Sequence, residues 1–206
     1  MATQALIVGL GNPGPRYAAT RHNFGFMALD ALIARAEELG GAPRPALSSR
    51  KDLVAVTLSL PVLPGGGFAQ FVCVKPLTFM NLSGRAVRAA CDFYKLDPTT
   101  LLVMHDELDL PLGRMRIKRG GGNAGHNGLK SLTQELGTPD FFRLRLGIGR
   151  PQPDYDVAGY VLEAFRSEEI PTVGRVLPAA VDAALSLFED GLEATRQRLG
   201  GFNGAA

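Results

Sequence analysis

The sequence predicts an α/β fold: a single three-layer sandwich with a mixed, twisted β-sheet flanked by helices, with residues 1–206 as one domain. Three observations carry this reading. Short apolar runs bounded by turn residues or charge read as buried strands. Segments with helical spacing alternate with them, the pattern of an α/β sandwich. The 46% hydrophobic content of 206 residues suffices for a sizeable core, and no repeat, low-complexity stretch or linker divides it.

The elements follow in order. Residues 5–10 (ALIVGL) read as a buried strand. Residues 23–39 (NFGFMALDALIARAEEL) have helical spacing and stop at a glycine pair, and 41–50 read as a loop. Residues 53–60 and 68–75 read as strands joined by the hairpin connection PVLPGGG. A helix over 83–96 ends before Asp97-Pro98, and 100–108 (TLLVMHDEL) is a buried strand ending in charge. Strands at 114–119 (RMRIKR) and 141–149 (FFRLRLGIG) enclose a helix at 128–136. From about 178 to 199 the tail reads as one amphipathic helix, with Val181, Ala184, Leu185, Phe188 and Leu192 on one face.

Charge is sorted along the chain. Residues 111–150 hold eight basic side chains against two acidic ones, residues 151–206 nine acids against four bases, and residues 1–110 nearly balance. A basic segment of this kind is the electrostatic footprint of a phosphate-bearing partner. Both RMRIKR and RLRL alternate cationic and apolar residues, so each strand offers one cationic and one buried face.

Several function classes find no support. Cys73 and Cys91 form no C-x-x-C pair, and each sits in an apolar segment, as small buried hydrophobes do in a reducing compartment. No run approaches 18 uninterrupted apolar residues, so no membrane span is expected. The chain enters an apolar run by Ala5, leaving no room for a targeting peptide, and a cytoplasmic location is the expectation. GLGNPG (9–14) matches G-x-G-x-x-G after a strand, but Pro13 and Pro15 interrupt the helix start. The nearest acid, Asp30, lies inside the following helix, so the dinucleotide reading fails. The histidines (His22, His105, His126) lack metal-ligand spacing within a helix, and no cysteine cluster accompanies them, so no metal is expected. There is no G-x-S-x-G. For a hydrolase, that leaves water activated by a histidine.

Asparagines recur at element ends: Asn12 after the first strand, Asn81 opening a helix, and Asn127 closing the glycine loop GGGNAGHNG (120–128). Such ends are where α/β sheets build their sites, and a carboxamide can hold a peptide group or an oxyanion. His105 precedes Asp106 by one residue, so strand alternation turns it to the opposite face and toward a structural role.

LIVGLGNPGPRYAATRHNFGF, KPLTFMNLSG, HDELDLPLGRMRIKRGGGNAGHNGLKSL and RLRLGIGRP together resemble the bacterial peptidyl-tRNA hydrolase family, across most of residues 5–160. The resemblance implies one α/β sandwich that hydrolyses the ester between a peptide and tRNA, recycling tRNA from stalled translation without metal or cofactor. It implies His22 as catalytic base, Asp106 as its supporting carboxylate, and Asn12 as a peptide contact that helps reject free amino groups. Asn81 and Asn127 would bind near the scissile ester, with His126 beside the pocket and Tyr17 and Phe79 touching the tRNA end or the peptide. Lys118 and Arg145 match the pair that grips the tRNA 5′ phosphate. A monomer is expected. The rival reading is a non-catalytic RNA-binding relative, similar to intron-splicing factors of the same fold; the intact His22/Asp106 pair argues against it.

Overall fold

The computed structural model describes residues 3–39, 43–46, 50–63 and 67–205. Strands β1 (Thr3–Gly9), β2 (Arg44–Ala46), β3 (Leu53–Leu63), β4 (Gly67–Pro76), β5 (Leu102–Glu107), β6 (Met115–Arg119) and β7 (Phe142–Gly147) join one sheet in the order β2-β3-β4-β1-β5-β7-β6. The four central strands, β4, β1, β5 and β7, run parallel. The strands outside them pair antiparallel, so the sheet is mixed.

Alternation along the strands builds a core on each face. Ala5 and Ile7 of β1 and Leu102 and Met104 of β5 face one way. They pack against helices α1 (Phe24–Glu38), α5 (Ile170–Glu189) and α6 (Gly191–Gly201). Leu6, Val8, Leu101 and Val103 face the other way, against α2 (Ser83–Tyr94) and α3 (Asn127–Leu136). Parallel strands covered on both faces read as continuous apolar runs, which is why ALIVGL and TLLVM were legible. Phe24, Leu29 and Leu32 of α1 are at most 1% exposed, each contributing roughly 1.5–3 kcal/mol.

The start of α1 is pressed onto the carboxyl ends of β1 and β5. A Cβ at Gly25 would lie 2.2 Å from the Met104 carbonyl oxygen, so only glycine permits this approach. The Phe26 amide donates to Leu10 O (3.1 Å), and Leu10 N donates to Met104 O (3.0 Å). The 3-10 turn Arg21–Asn23, just before α1, is thereby fixed beside the end of β5.

Four expectations change. The tail is two helices, not one: α5 begins at Ile170 with Pro171 in its first turn, carries Pro178 inside it, and hands over to α6 at Gly191, where φ is +85°. Part of the loop expected at 41–50 forms β2, an edge strand paired with β3. A short helix α4 (Val157–Val161) stands where no element was expected. Strands β3 and β4 are longer than expected, and residues 64–66 of the hairpin lie outside the described residues. Helix α5 is long and apolar enough to cross a membrane by length and composition alone, yet half of that stretch is buried inside the fold. Cys73 and Cys91 are buried and free, and burial pushes the Cys91 thiol up to about 12.

Candidate active site

A cavity of about 800 Å³ opens where β1 and β5 end and α1 and α3 begin. Asn12, His22, Asp106 and His126 line it on the inside. Phe79, Asn81 and residues of α4 line it as well. Lys118, Arg143 and Arg145 lie at the basic edge.

His22 and Asp106, 84 residues apart in sequence, meet here. The His22 Nδ1–H donates to both Asp106 oxygens, at 3.0 and 3.1 Å. That leaves Nε2, without a protein partner among the described residues, for the cavity. Asp106 also accepts the His126 Nε2–H, at 3.0 Å. The tautomer of His126 is set by its backbone position. Its Nδ1 accepts from the amides of Gly128 (3.1 Å) and Leu129 (3.4 Å) as the N-cap of α3, so the ring proton sits on Nε2. Burial opposes the charge on Asp106, but the His22 and His126 imidazoles together outweigh it and hold the carboxyl well below its ordinary range.

His126 therefore stands deeper than a rim residue. Its side chain is 8% exposed and both ring nitrogens are engaged within the protein, so it offers no free ring nitrogen to a ligand. His105 keeps the alternation expected of β5, yet at the strand end its ring still reaches the cavity lining. It stands edge-on to His126 at 5.1 Å. Its Nδ1–H donates to the Asp106 carbonyl (2.7 Å), its Nε2 is buried without a partner among the described residues, and burial chiefly pushes its pKa down to about 3.

Asn12 is oriented from three sides. Its amide donates to Asn23 Oδ1 (2.8 Å), and Asn23 Nδ2 returns a bond to its carbonyl (3.0 Å). Asn12 Oδ1 accepts from the Met80 amide (2.8 Å), which aims the two Nδ2 donors at the cavity. The holding role of Asn23 was missed in the sequence, where it stood as the first residue of the helix expected at 23–39.

The basic edge is built by register. Lys118 faces Arg143, and Arg116 faces Arg145, across the antiparallel β6–β7 pair. Arg145 donates to the buried Glu107 (2.7 Å). Lys118 has no ion-pair partner among the described residues; burial first, then Arg145 and Arg143, lowers its pKa. An anion docked there would relieve that crowding. Arg143 is fully buried. It donates to the carbonyls of Gly121 (2.9 Å) and Gly122 (2.7 Å) and lies over the Phe141 ring at 4.7 Å, tying down the glycine loop. In the sequence it was only one cation of the basic segment, with no signal of this role.

Of the expected site residues, Asn12, His22, Phe79, Asn81, Asp106, Lys118, His126, Asn127 and Arg145 all line the one cavity, while Tyr17 does not. Tyr17 instead accepts a bond from Arg16, whose guanidinium lies over its ring at 4.5 Å. His22, Asp106 and His126 could present three metal-ligand atoms within 4.8 Å of one another; in this geometry those atoms hold each other by hydrogen bonds. An imidazole with one free nitrogen, backed by a buried carboxylate and facing carboxamide donors, has the parts of a general-base hydrolytic centre.

Comparison with known proteins places this centre in a family. Residues 6–204 match the peptidyl-tRNA hydrolase family, and the chain belongs to it. It is 75% identical to the peptidyl-tRNA hydrolase of Solidesulfovibrio magneticus over 203 residues, covering 98% of this chain and 96% of that protein. It is 48% identical to that of Nitratidesulfovibrio vulgaris strain DP4, covering 98% and 99%. The crystal structure of peptidyl-tRNA hydrolase from Acinetobacter baumannii superposes with a TM-score of 0.83 at 32% identity, covering 100% of this chain and 98% of that one.

Proposed function

We propose that this chain is an enzyme that hydrolyses the ester joining a peptide to tRNA, with His22 as general base. Family membership supports the reaction. The observation that supports the residue roles is the His22 imidazole, held by Asp106 through Nδ1 with Nε2 left for the cavity.

In this reading a water sits between His22 Nε2 and the ester carbonyl carbon. Nε2 takes its proton as the oxygen attacks, and the Asp106 carboxylate stabilises the imidazolium that forms. The Asn12 Nδ2 donors face the carbonyl oxygen as negative charge develops on it. The tetrahedral intermediate collapses by expelling the ribose oxygen, which receives the proton from the imidazolium. His126 acts on Asp106 rather than on the substrate, because neither of its ring nitrogens is free. Lys118 and Arg145 take the tRNA phosphate, contacts that position RNA without reading its sequence. In this reading Phe79, Asn81 and Asn127, which line the cavity, contact the substrate between phosphate and ester, and Tyr17 contacts it beyond the cavity. All these groups come from one chain, so the reading needs no second copy.

The test is release of the blocked amino acid from N-acetyl-aminoacyl-tRNA, compared with the unblocked aminoacyl-tRNA. Release from the blocked substrate alone is expected. Release from neither would refute the reading.

A further inference from the structure

Helix α4 and its C-cap residue supply one apolar wall of the cavity through Val157, Val161 and Leu162. A five-residue helix does not hold itself in place. Its neighbours hold it. The Tyr160 hydroxyl donates to Ile148 O (2.7 Å), fixing α4 to the chain beyond β7. On the far side, Thr20 and Ala164 form an antiparallel bridge, with Arg21 N donating to Glu163 O (3.0 Å) and Phe165 N to Ala19 O (3.2 Å).

The Arg21 side chain completes this junction. It is 1% exposed, although it carries a charge that the hydrolytic step does not use. Its Nη1 donates to Ala164 O (2.9 Å) and its Nη2 to Glu169 Oε2 (2.7 Å). The same Glu169 oxygen accepts the Arg166 amide (2.7 Å), so the pair also organises the turn leading into α5. The guanidinium lies over the Tyr160 ring at 4.5 Å and near Phe165 at 5.5 Å. A buried cation is costly unless it is paired, and this one is matched by a fork of acceptors and an aromatic face that a lysine ammonium cannot serve together. Among the described residues, every hydrogen-bond, ion-pair and ring partner of this side chain lies in residues 160–169, and Arg21 is joined directly to His22 within one 3-10 turn.

We propose that Arg21 is a positioning residue: it sets the distance between the α4 wall and the His22 imidazole, and thereby the grip on apolar acyl groups. This rests on the reading above, in which the phosphate takes the basic edge; the acyl chain, on the other side of the ester, is here placed against the apolar side.

The test uses one tRNA minihelix esterified with either N-acetyl-leucine or N-acetyl-glycine, with wild type, Arg21→Lys and Glu169→Gln. For the leucyl ester both variants should raise KM about tenfold, since a lost apolar contact is worth roughly that factor. For the glycyl ester KM should move by less than about threefold, a side chain too small to lean on the wall. The kcat pH profile should be unchanged for both esters. An equal KM rise for the two esters, or a loss confined to kcat, would overturn the proposal. If Arg21→Lys does not fold, Glu169→Gln decides by the same criteria, because it weakens the junction from its more exposed end. A wild type that cleaves neither ester would instead sink the reading of the function, and this proposal with it.

Discussion

His126 donates its Nε2–H to Asp106 Oδ1 at 3.0 Å while its other ring nitrogen caps α3. One side chain thus ties the helix start to the carboxylate that holds His22. The two jobs are separable. Asparagine is a preferred N-cap but is too short to replace the imidazole at Asp106. His126→Asn and His126→Ala should both lose roughly 10- to 100-fold in kcat, as supporting contacts of this kind do. The alanine variant should be about 1 kcal/mol less stable than the asparagine variant, by denaturant melts. Equal stability of the two, or an asparagine variant as active as wild type, would contradict this assignment.

Asn12→Asp keeps the shape of the side chain and the oxygen that accepts from Met80, but removes both Nδ2 donors. The expected loss is roughly 10²–10³-fold in kcat, the cost of one missing donor to a developing oxyanion. Steady-state kinetics on N-acetyl-aminoacyl-tRNA check it; a change confined to KM would mean that Asn12 only binds.

The two cations of the basic edge should behave differently. Each should raise KM when changed to alanine, and each should lower the slope of log affinity against log salt by about one. Arg145→Ala also takes the cation from the buried Glu107, leaving its carboxylate only the Asp109 amide, and should destabilise the fold by about 1–3 kcal/mol. Lys118→Ala leaves no buried carboxylate without its cation. Salt titrations and melts of the two variants side by side test this.

His105 carries a pH signature of stability. Its pKa is pushed from 6.5 down to about 3 by burial, so the unfolded chain binds a proton that the folded chain refuses. Stability from this group is present above pH 6.5 and is lost as pH falls toward 3, by at most about 1.4 kcal/mol per unit. Asp106, held below the ordinary carboxylate range, loses its own contribution only at pH below its unfolded value of 3.8. Relative to His105→Gln, which takes up no proton at this position, wild type should therefore lose stability as pH falls from 6.5 to 4.5. A gap constant with pH would mean that His105 is not held neutral.

Much of the fold was written locally. ALIVGL and TLLVM are apolar on both faces because helices cover both, and that pattern needs no knowledge of partners. The elements that escaped lacked such a pattern. Strand β2 has three residues and a proline, so only its pairing with β3 defines it. Helix α4 did carry a signal: Asp156 caps it, accepting from the amides of Ala158 (3.0 Å) and Gly159 (2.9 Å). Flanking prolines and its short apolar stretch hid it.

At the site, local motifs named the residue types, and family resemblance named their roles. The three-dimensional links were not legible. Nothing in the sequence shows one Asp106 oxygen receiving two imidazoles, or Arg143 spending its donors on the carbonyls of the glycine loop. Arg21 and Glu169 stand 148 residues apart, and no spacing rule joins them. These links depend on where chain ends converge, which topology decides.

The most direct test of the central claim compares wild type with His22→Ala, both shown to be folded, in single-turnover hydrolysis of N-acetyl-aminoacyl-tRNA. Loss of the base should slow the ester-breaking step by roughly 10²–10⁴-fold while tRNA affinity is retained. Equal single-turnover rates would contradict the account.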